Sequence, residues 1–144
     1  MTSNYIVSLD LGSSGLRALL IPDEPPWQPL LGAETGYRIF KTGGPDSLAV
    51  QFSPKELSQR VSSVLQNGVR ESGISPSRII GITITSQRQA IALLRSDGST
   101  MHIGPNRDLR AVFEGQAIDE ELGPWIYSLT GHLPSFFFAP AKLH

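Results

Sequence analysis

The chain has 144 residues, with 12 Lys and Arg against 13 Asp and Glu and a formal net charge of −1. That length sets an expectation of about one domain, and 40% hydrophobic residues supply a core for it. The even charge balance offers no basic stripe for nucleic acid, and the absence of cysteine excludes disulfides and thiolate metal sites.

The N-terminus, Met1 to Leu11, has no basic leader, and Asp10 interrupts its apolar run, so it does not read as a signal peptide. No window reaches the roughly 18 uninterrupted apolar residues of a membrane helix. Phe136-Phe137-Phe138 is too short and lies between prolines. The expectation is a soluble, cytoplasmic protein with no membrane or nucleic-acid partner.

Tyr5 to Leu11 is apolar and β-rich, as in a buried strand. Gly12-Ser13-Ser14-Gly15 is turn material, and Leu16 to Ile21 resumes the apolar run, which predicts a hairpin. Pro22 to Pro29 reads as a stiff loop and Tyr37 to Lys41 as a third strand. Ser53-Pro54-Lys55-Glu56 has the form of a capping box with proline at the first helical position. Leu57, Val61, Val64, Leu65 and Val69 then share one helical face, and Gly73 closes the helix.

Ile79 to Thr85 is a β-branched run typical of an interior strand. Ala90 to Leu94 and Thr100 to Ile103 flank Asp97-Gly98 and predict a second hairpin. After Arg110 the pattern turns helical through Val112 and Ile118. A separate short helix follows Gly123-Pro124 and ends at Thr130-Gly131. Strands, then a helix, then a strand is α/β order with a mixed sheet. The strand after the helix needs a crossover and should lie parallel to an earlier one.

Two polar clusters stand out. The first is Asp10-Leu11-Gly12-Ser13-Ser14-Gly15-Leu16-Arg17. Small residues let backbone N–H groups approach a polyphosphate, and the Ser13 and Ser14 hydroxyls add donors. Asp10 would repel phosphate unless Mg²⁺ stands between them, commonly through water. Arg17 can offset charge on a transferred phosphoryl group. The segment is neither a Walker A loop nor a dinucleotide fingerprint. Read alone, it is equally an ordinary hairpin with a Gly/Ser-rich tip. It resembles the first phosphate motif of the sugar kinase, heat-shock protein and actin superfamily.

The second cluster is Ser86-Gln87-Arg88-Gln89, where an apolar strand turns polar, followed after the Asp-Gly turn by Asn106-Arg107-Asp108-Leu109-Arg110. Strand ends are where open α/β sheets place ligands. Each stretch alone is also compatible with a solvated loop. Together, in this order, they resemble the FGGY carbohydrate kinases, which include glycerol kinase, xylulokinase and the autoinducer kinases. Thr130-Gly131 and Ala141-Lys142-Leu143 extend the resemblance over nearly the whole chain.

The resemblance implies a ribonuclease-H-like (actin-like ATPase) lobe with a mixed sheet, here truncated, so that residues 1–144 form the N-terminal part of the first lobe and the second lobe is absent. It implies ATP and Mg²⁺, with Asp10, Gly12, Ser13, Ser14 and Arg17 binding the nucleotide and Asp10 the metal. Gln87, Arg88, Gln89, Asn106 and Asp108 would bind a sugar or polyol. Asn106 stands where glycerol kinase has Trp, which points away from glycerol. A homodimer of the full-length enzyme is compatible with the family.

A carboxylate base usually assists attack by a sugar hydroxyl. In the family it follows a glycine-rich stretch beyond residue 144, so no catalytic residue is expected in this chain. A fragment acting alone is expected to be inactive. His102, His132 and His144 read as surface histidines, and Glu114, Asp119, Glu120 and Glu121 as a solvated helix face. Two other classes stay open: a non-kinase member of the superfamily, such as a polyphosphate phosphatase, and a non-catalytic binding module.

Overall fold

The computed structural model describes residues 3–36, 40–42, 47–133 and 138–143. In chain order the elements are β1 (Tyr5–Leu11), β2 (Gly15–Pro22), β3 (Leu30–Gly36), β4 (Phe40–Lys41), β5 (Val50–Gln51), α1 (Pro54–Ser72), β6 (Ile79–Ser86), β7 (Ile91–Leu94), β8 (Thr100–Gly104), α2 (Val112–Thr130) and α3 (Ala139–Leu143). They divide into two units. One holds Met1–Arg38 and Pro54–Gln87, the other Ile39–Ser53 and Arg88–His144.

The first unit is a four-stranded sheet in the order β3-β2-β1-β6. β1 pairs antiparallel with β2, β2 antiparallel with β3, and β1 parallel with β6. The sheet is therefore mixed, and β6 is parallel to β1 as the intervening helix requires. Period-2 alternation sends Val7 and Leu9 to one face, where Leu16, Ala18 and Leu20 of β2 join them. Val64 of α1 closes this core, with Val61 and Leu65 packed against it. Each fully buried aliphatic side chain contributes roughly 1.5–3 kcal/mol relative to exposure.

A strand absent from the sequence reading, β3, comes third; of Tyr37 to Lys41, Phe40 and Lys41 form β4, and Tyr37, Arg38 and Ile39 lie outside the described residues. Leu30–Gly36 is hard to read as a strand because Gly32 and Gly36 weaken β-propensity. Tertiary packing explains Gly32. A Cβ there would lie 2.7 Å from the Gly68 Cα of α1, so helix and strand touch backbone to backbone.

β6 also departs from expectation. It lies at the edge of the described sheet rather than inside it. Ile82 and Ile84 share register with Val7 and Leu9, on the core face, yet are 60% and 64% exposed. The helix α1 packs over β2 and β3 instead.

In the second unit β4 pairs with β5, and β7 with β8, both antiparallel. The Phe52 N–H donates to the Ile103 carbonyl, which joins the segment after β5 to β8. The residues read as two helices form one, α2, running through Pro124. Proline removes a single backbone donor, and the helix continues on either side of it. Gly131 ends it in a left-handed conformation, its N–H bonded to the Tyr127 carbonyl. Glu120 and Glu121 are exposed as expected, whereas Glu114 and Asp119 are half-buried. No helix among the described residues is long and apolar enough to cross a membrane.

Candidate functional site

In the first unit the candidate phosphate hairpin sits where β1 turns into β2. Asp10 and Arg17 are cross-strand partners, and Glu34 of β3 partners Arg17 in turn. Alternation therefore puts all three on the face opposite Leu9 and Leu16. Arg17 Nη1 is 3.8 Å from Asp10 Oδ2, and Arg17 Nε is 3.5 Å from Glu34 Oε2. These separations exceed good hydrogen-bond lengths, and the Arg17 side chain is 60% exposed. Such loose pairs contribute about 0–1 kcal/mol, so Arg17 can turn to another anion at little cost.

The turn itself is open. Ser13 and Ser14 are exposed. Gly15 is required sterically, because a Cβ there would lie 2.6 Å from the Thr35 carbonyl oxygen. A cleft of about 290 Å³ opens beside it, lined by residues that include Ser14, Gly15, Arg17, Glu34 and Thr35. Its wall carries backbone groups, the Ser14 and Thr35 hydroxyls, the Arg17 guanidinium and the Glu34 carboxylate. Among the described residues no three His, Asp or Glu side chains gather as a metal cluster. A single half-exposed carboxylate such as Asp10 fits Mg²⁺, which keeps several waters and takes one or two protein carboxylates.

One residue that the sequence reading passed over braces this cleft. Arg60 of α1 donates to the Gly36 carbonyl at 2.6 Å and to Thr35 Oγ1 at 3.3 Å, and its Nη2 donates to Glu56 Oε1 at 2.7 Å. The Glu56–Arg60 spacing of i,i+4 on a helix was the available signal. At the neighbouring strand end, Thr85 is the register partner of Asp10. The Gln87 N–H donates to the Leu11 carbonyl, so Gln87 continues the parallel ladder beyond β6.

The other predicted contacts belong to the second unit. Arg88 is exposed and Gln89 half-buried. Gln89 has φ +66°, in the left-handed region that non-glycine residues avoid. Asn106 is half-buried. Asp108 was expected at the substrate, but its side chain has no accessible surface. Oδ1 accepts from the Val50 N–H at 3.1 Å, and Oδ2 accepts from Arg110 Nε at 2.7 Å. Arg110 Nη2 donates back to the Val50 carbonyl at 3.3 Å. The Asp-x-Arg pair is thus a fork that holds both backbone groups of Val50 in β5.

His102 is also not a surface residue. Its side chain is 12% exposed, and Nε2 lies 3.3 Å from Asp108 Oδ2. Burial pushes its pKa below histidine's ordinary value, the Arg110 charge adds to this, and Asp108 opposes both. The residue two along, Gly104, makes the room: a Cβ there would lie 2.5 Å from His102 Nε2 and 2.8 Å from Asp108 Oδ2. A histidine followed at strand spacing by glycine was the sign of this contact.

A crossover sheet with a glycine-serine hairpin and an acidic strand end defines a ribonuclease-H-like lobe of the actin-like ATPase class. The solved structures agree. A gluconate kinase from Lactobacillus acidophilus superposes with a TM-score of 0.82 at 19% identity, covering 99% of this chain and 28% of that one. A xylulose kinase from Rhodospirillum rubrum gives 0.79 at 21%, covering 96% and 28%. The chain belongs to the FGGY family of carbohydrate kinases, matching the family's N-terminal domain over residues 5–144. It is similar to the glycerol kinase of Thermococcus gammatolerans, 26% identical over 96% of this chain and 27% of that protein. It is also similar to the glycerol kinase of Rhizobium meliloti, 31% identical over 68% of this chain and 19% of that protein. The chain thus spans less than a third of the length of these relatives.

Proposed function

We propose that the full-length protein is a kinase that transfers the γ-phosphoryl group of ATP to a hydroxyl of a sugar or polyol, in the cytoplasm. The observation that carries this is Asp10 at the end of β1 beside the open Gly12–Gly15 turn, in a chain of a carbohydrate kinase family. ATP supplies the phosphoryl group, and Mg²⁺ supplies positive charge on its oxygens. The turn N–H groups and the Ser13 and Ser14 hydroxyls take phosphate oxygens. Arg17 would offset charge on the transferred group, and Asp10 would hold the metal.

Arg88, Gln89 and Asn106, with Gln87 beside them in sequence, are the proposed sugar contacts. Asp108 serves them from inside, by fixing the loop that carries Asn106. Asn offers one donor group and one acceptor where a tryptophan would offer an apolar wall, and it leaves more room. The expected substrate is therefore larger or more hydroxylated than glycerol, such as a pentose, a ketose or a related polyol. A substrate panel on the full-length protein tests this. We expect glycerol to rank below at least one larger polyol in kcat/KM. Asn106→Trp should move the ratio toward glycerol by roughly 10–100-fold. Glycerol as the best substrate, or a ranking that ignores Asn106→Trp, would refute the size argument.

A further inference from the structure

Lys142 of α3 lies outside both polar clusters, yet it touches the backbone of two segments that carry proposed sugar contacts. Its half-buried Nζ donates to the Gln89 carbonyl at 3.2 Å and to the Pro105 carbonyl at 3.4 Å. Pro105 is itself buried and directly precedes Asn106. Gln89 is the residue held at φ +66°. A non-glycine residue persists in that conformation only where its surroundings fix it. A donor on its carbonyl anchors the peptide plane that follows it. Burying an amine is costly unless hydrogen bonds repay it, and these two carbonyls are its acceptors. The Lys142 pKa lies below lysine's ordinary value, chiefly through burial; the Asp108 charge opposes this and the Arg110 charge adds to it.

We propose, on the reading of Arg88, Gln89 and Asn106 as sugar contacts, that Lys142 is a positioning residue which pins the strained Gln89 turn to the Pro105 loop and so sets the spacing of the two sugar-contacting stretches. One flexible amine meets two carbonyls just outside the Ile91–Gly104 pair at the base of the β7–β8 hairpin, where the strand ladder has ended, and no side chain lacking a donor can reproduce this.

Lys142→Met keeps the length and the apolar stem but removes the donors. Lys142→Arg keeps donors and charge. In the full-length protein we expect Lys142→Met to raise the sugar KM about tenfold, with the KM for ATP unchanged, and Lys142→Arg to recover most of the loss. A merely structural lysine would lower the melting temperature and the folded yield without separating the two KM values. A second readout needs no activity. Arg88 is exposed and precedes the pinned residue, so tryptic cleavage after Arg88 should quicken about tenfold in Lys142→Met and slow again in Lys142→Arg. Should Lys142→Met fail to fold, Lys142→Gln, which is too short to reach, takes its place in both measurements. Unchanged cleavage at Arg88 overturns the pin, as does an equal rise in both KM values. If the wild-type protein phosphorylates no sugar while cleavage at Arg88 responds as expected, the pin stands and the sugar reading falls.

Discussion

Asp10→Asn is expected to lower kcat of the full-length protein by on the order of 10²–10³ while leaving the melting temperature nearly unchanged. The substitution keeps the shape of the side chain and removes its charge. The stability cost is small because the carboxylate is half-exposed and meets Arg17 only at 3.8 Å. The catalytic cost is large because a neutral amide no longer draws the hydrated metal to the phosphates, where charge must be offset during transfer. Raising the Mg²⁺ concentration should recover part of the rate. A structural role for Asp10 predicts the reverse order, a lower melting temperature with near-normal turnover. Parallel measurement of kcat and thermal unfolding separates the two.

Asp108→Ala is expected to do the opposite, destabilising the fold by about 1–3 kcal/mol. The side chain is fully buried, and its loss strands the Val50 N–H and leaves Arg110 without its counter-charge. The Val50 N–H then bears the penalty of an unsatisfied donor, whereas Arg110, one-third exposed, can turn to water. Asp108→Asn should fall between, since one oxygen still accepts from Val50 while an amide nitrogen crowds Arg110 Nε. Urea unfolding of the three proteins gives the order wild type, Asn, Ala. If both variants unfold like the wild type and differ only in sugar KM, Asp108 is a substrate contact and not the anchor of β5.

Much of the fold was legible because it rests on local signals. β1 and β2 follow from alternation around a Gly/Ser turn, α1 from Pro54 and Gly73 at its ends, and β7 and β8 from Asp97-Gly98. The crossover rule gave the parallel pairing of β6 with β1. The failures are tertiary. β3 was missed because Gly32 serves the approach of α1 rather than the strand. Pro124 suggested a break that α2 does not make.

The candidate site divides in the same way. Asp10, Ser13, Ser14 and Arg17 were readable because a turn between two strands fixes where its own residues go. The burial of Asp108 was not, since the family resemblance of its Asp-x-Arg stretch pointed to a substrate contact. Its inward path depends on Val50, 58 positions earlier in the chain. Arg60 was signalled only by Glu56 one helical turn before it; its bond to the Gly36 carbonyl, like those of Lys142, goes to a group whose identity no sequence pattern reveals.

The central claim, phosphoryl transfer to a sugar, is met most directly by following the phosphate. The full-length protein is incubated with Mg²⁺, ATP labelled at the γ-phosphate, and a mixture of sugars and polyols, with a parallel sample lacking them. The account predicts label in a sugar phosphate, formed only when the acceptor is present and in step with ADP. Label appearing solely as inorganic phosphate, at the same rate with and without sugar, would contradict it and point to a phosphatase.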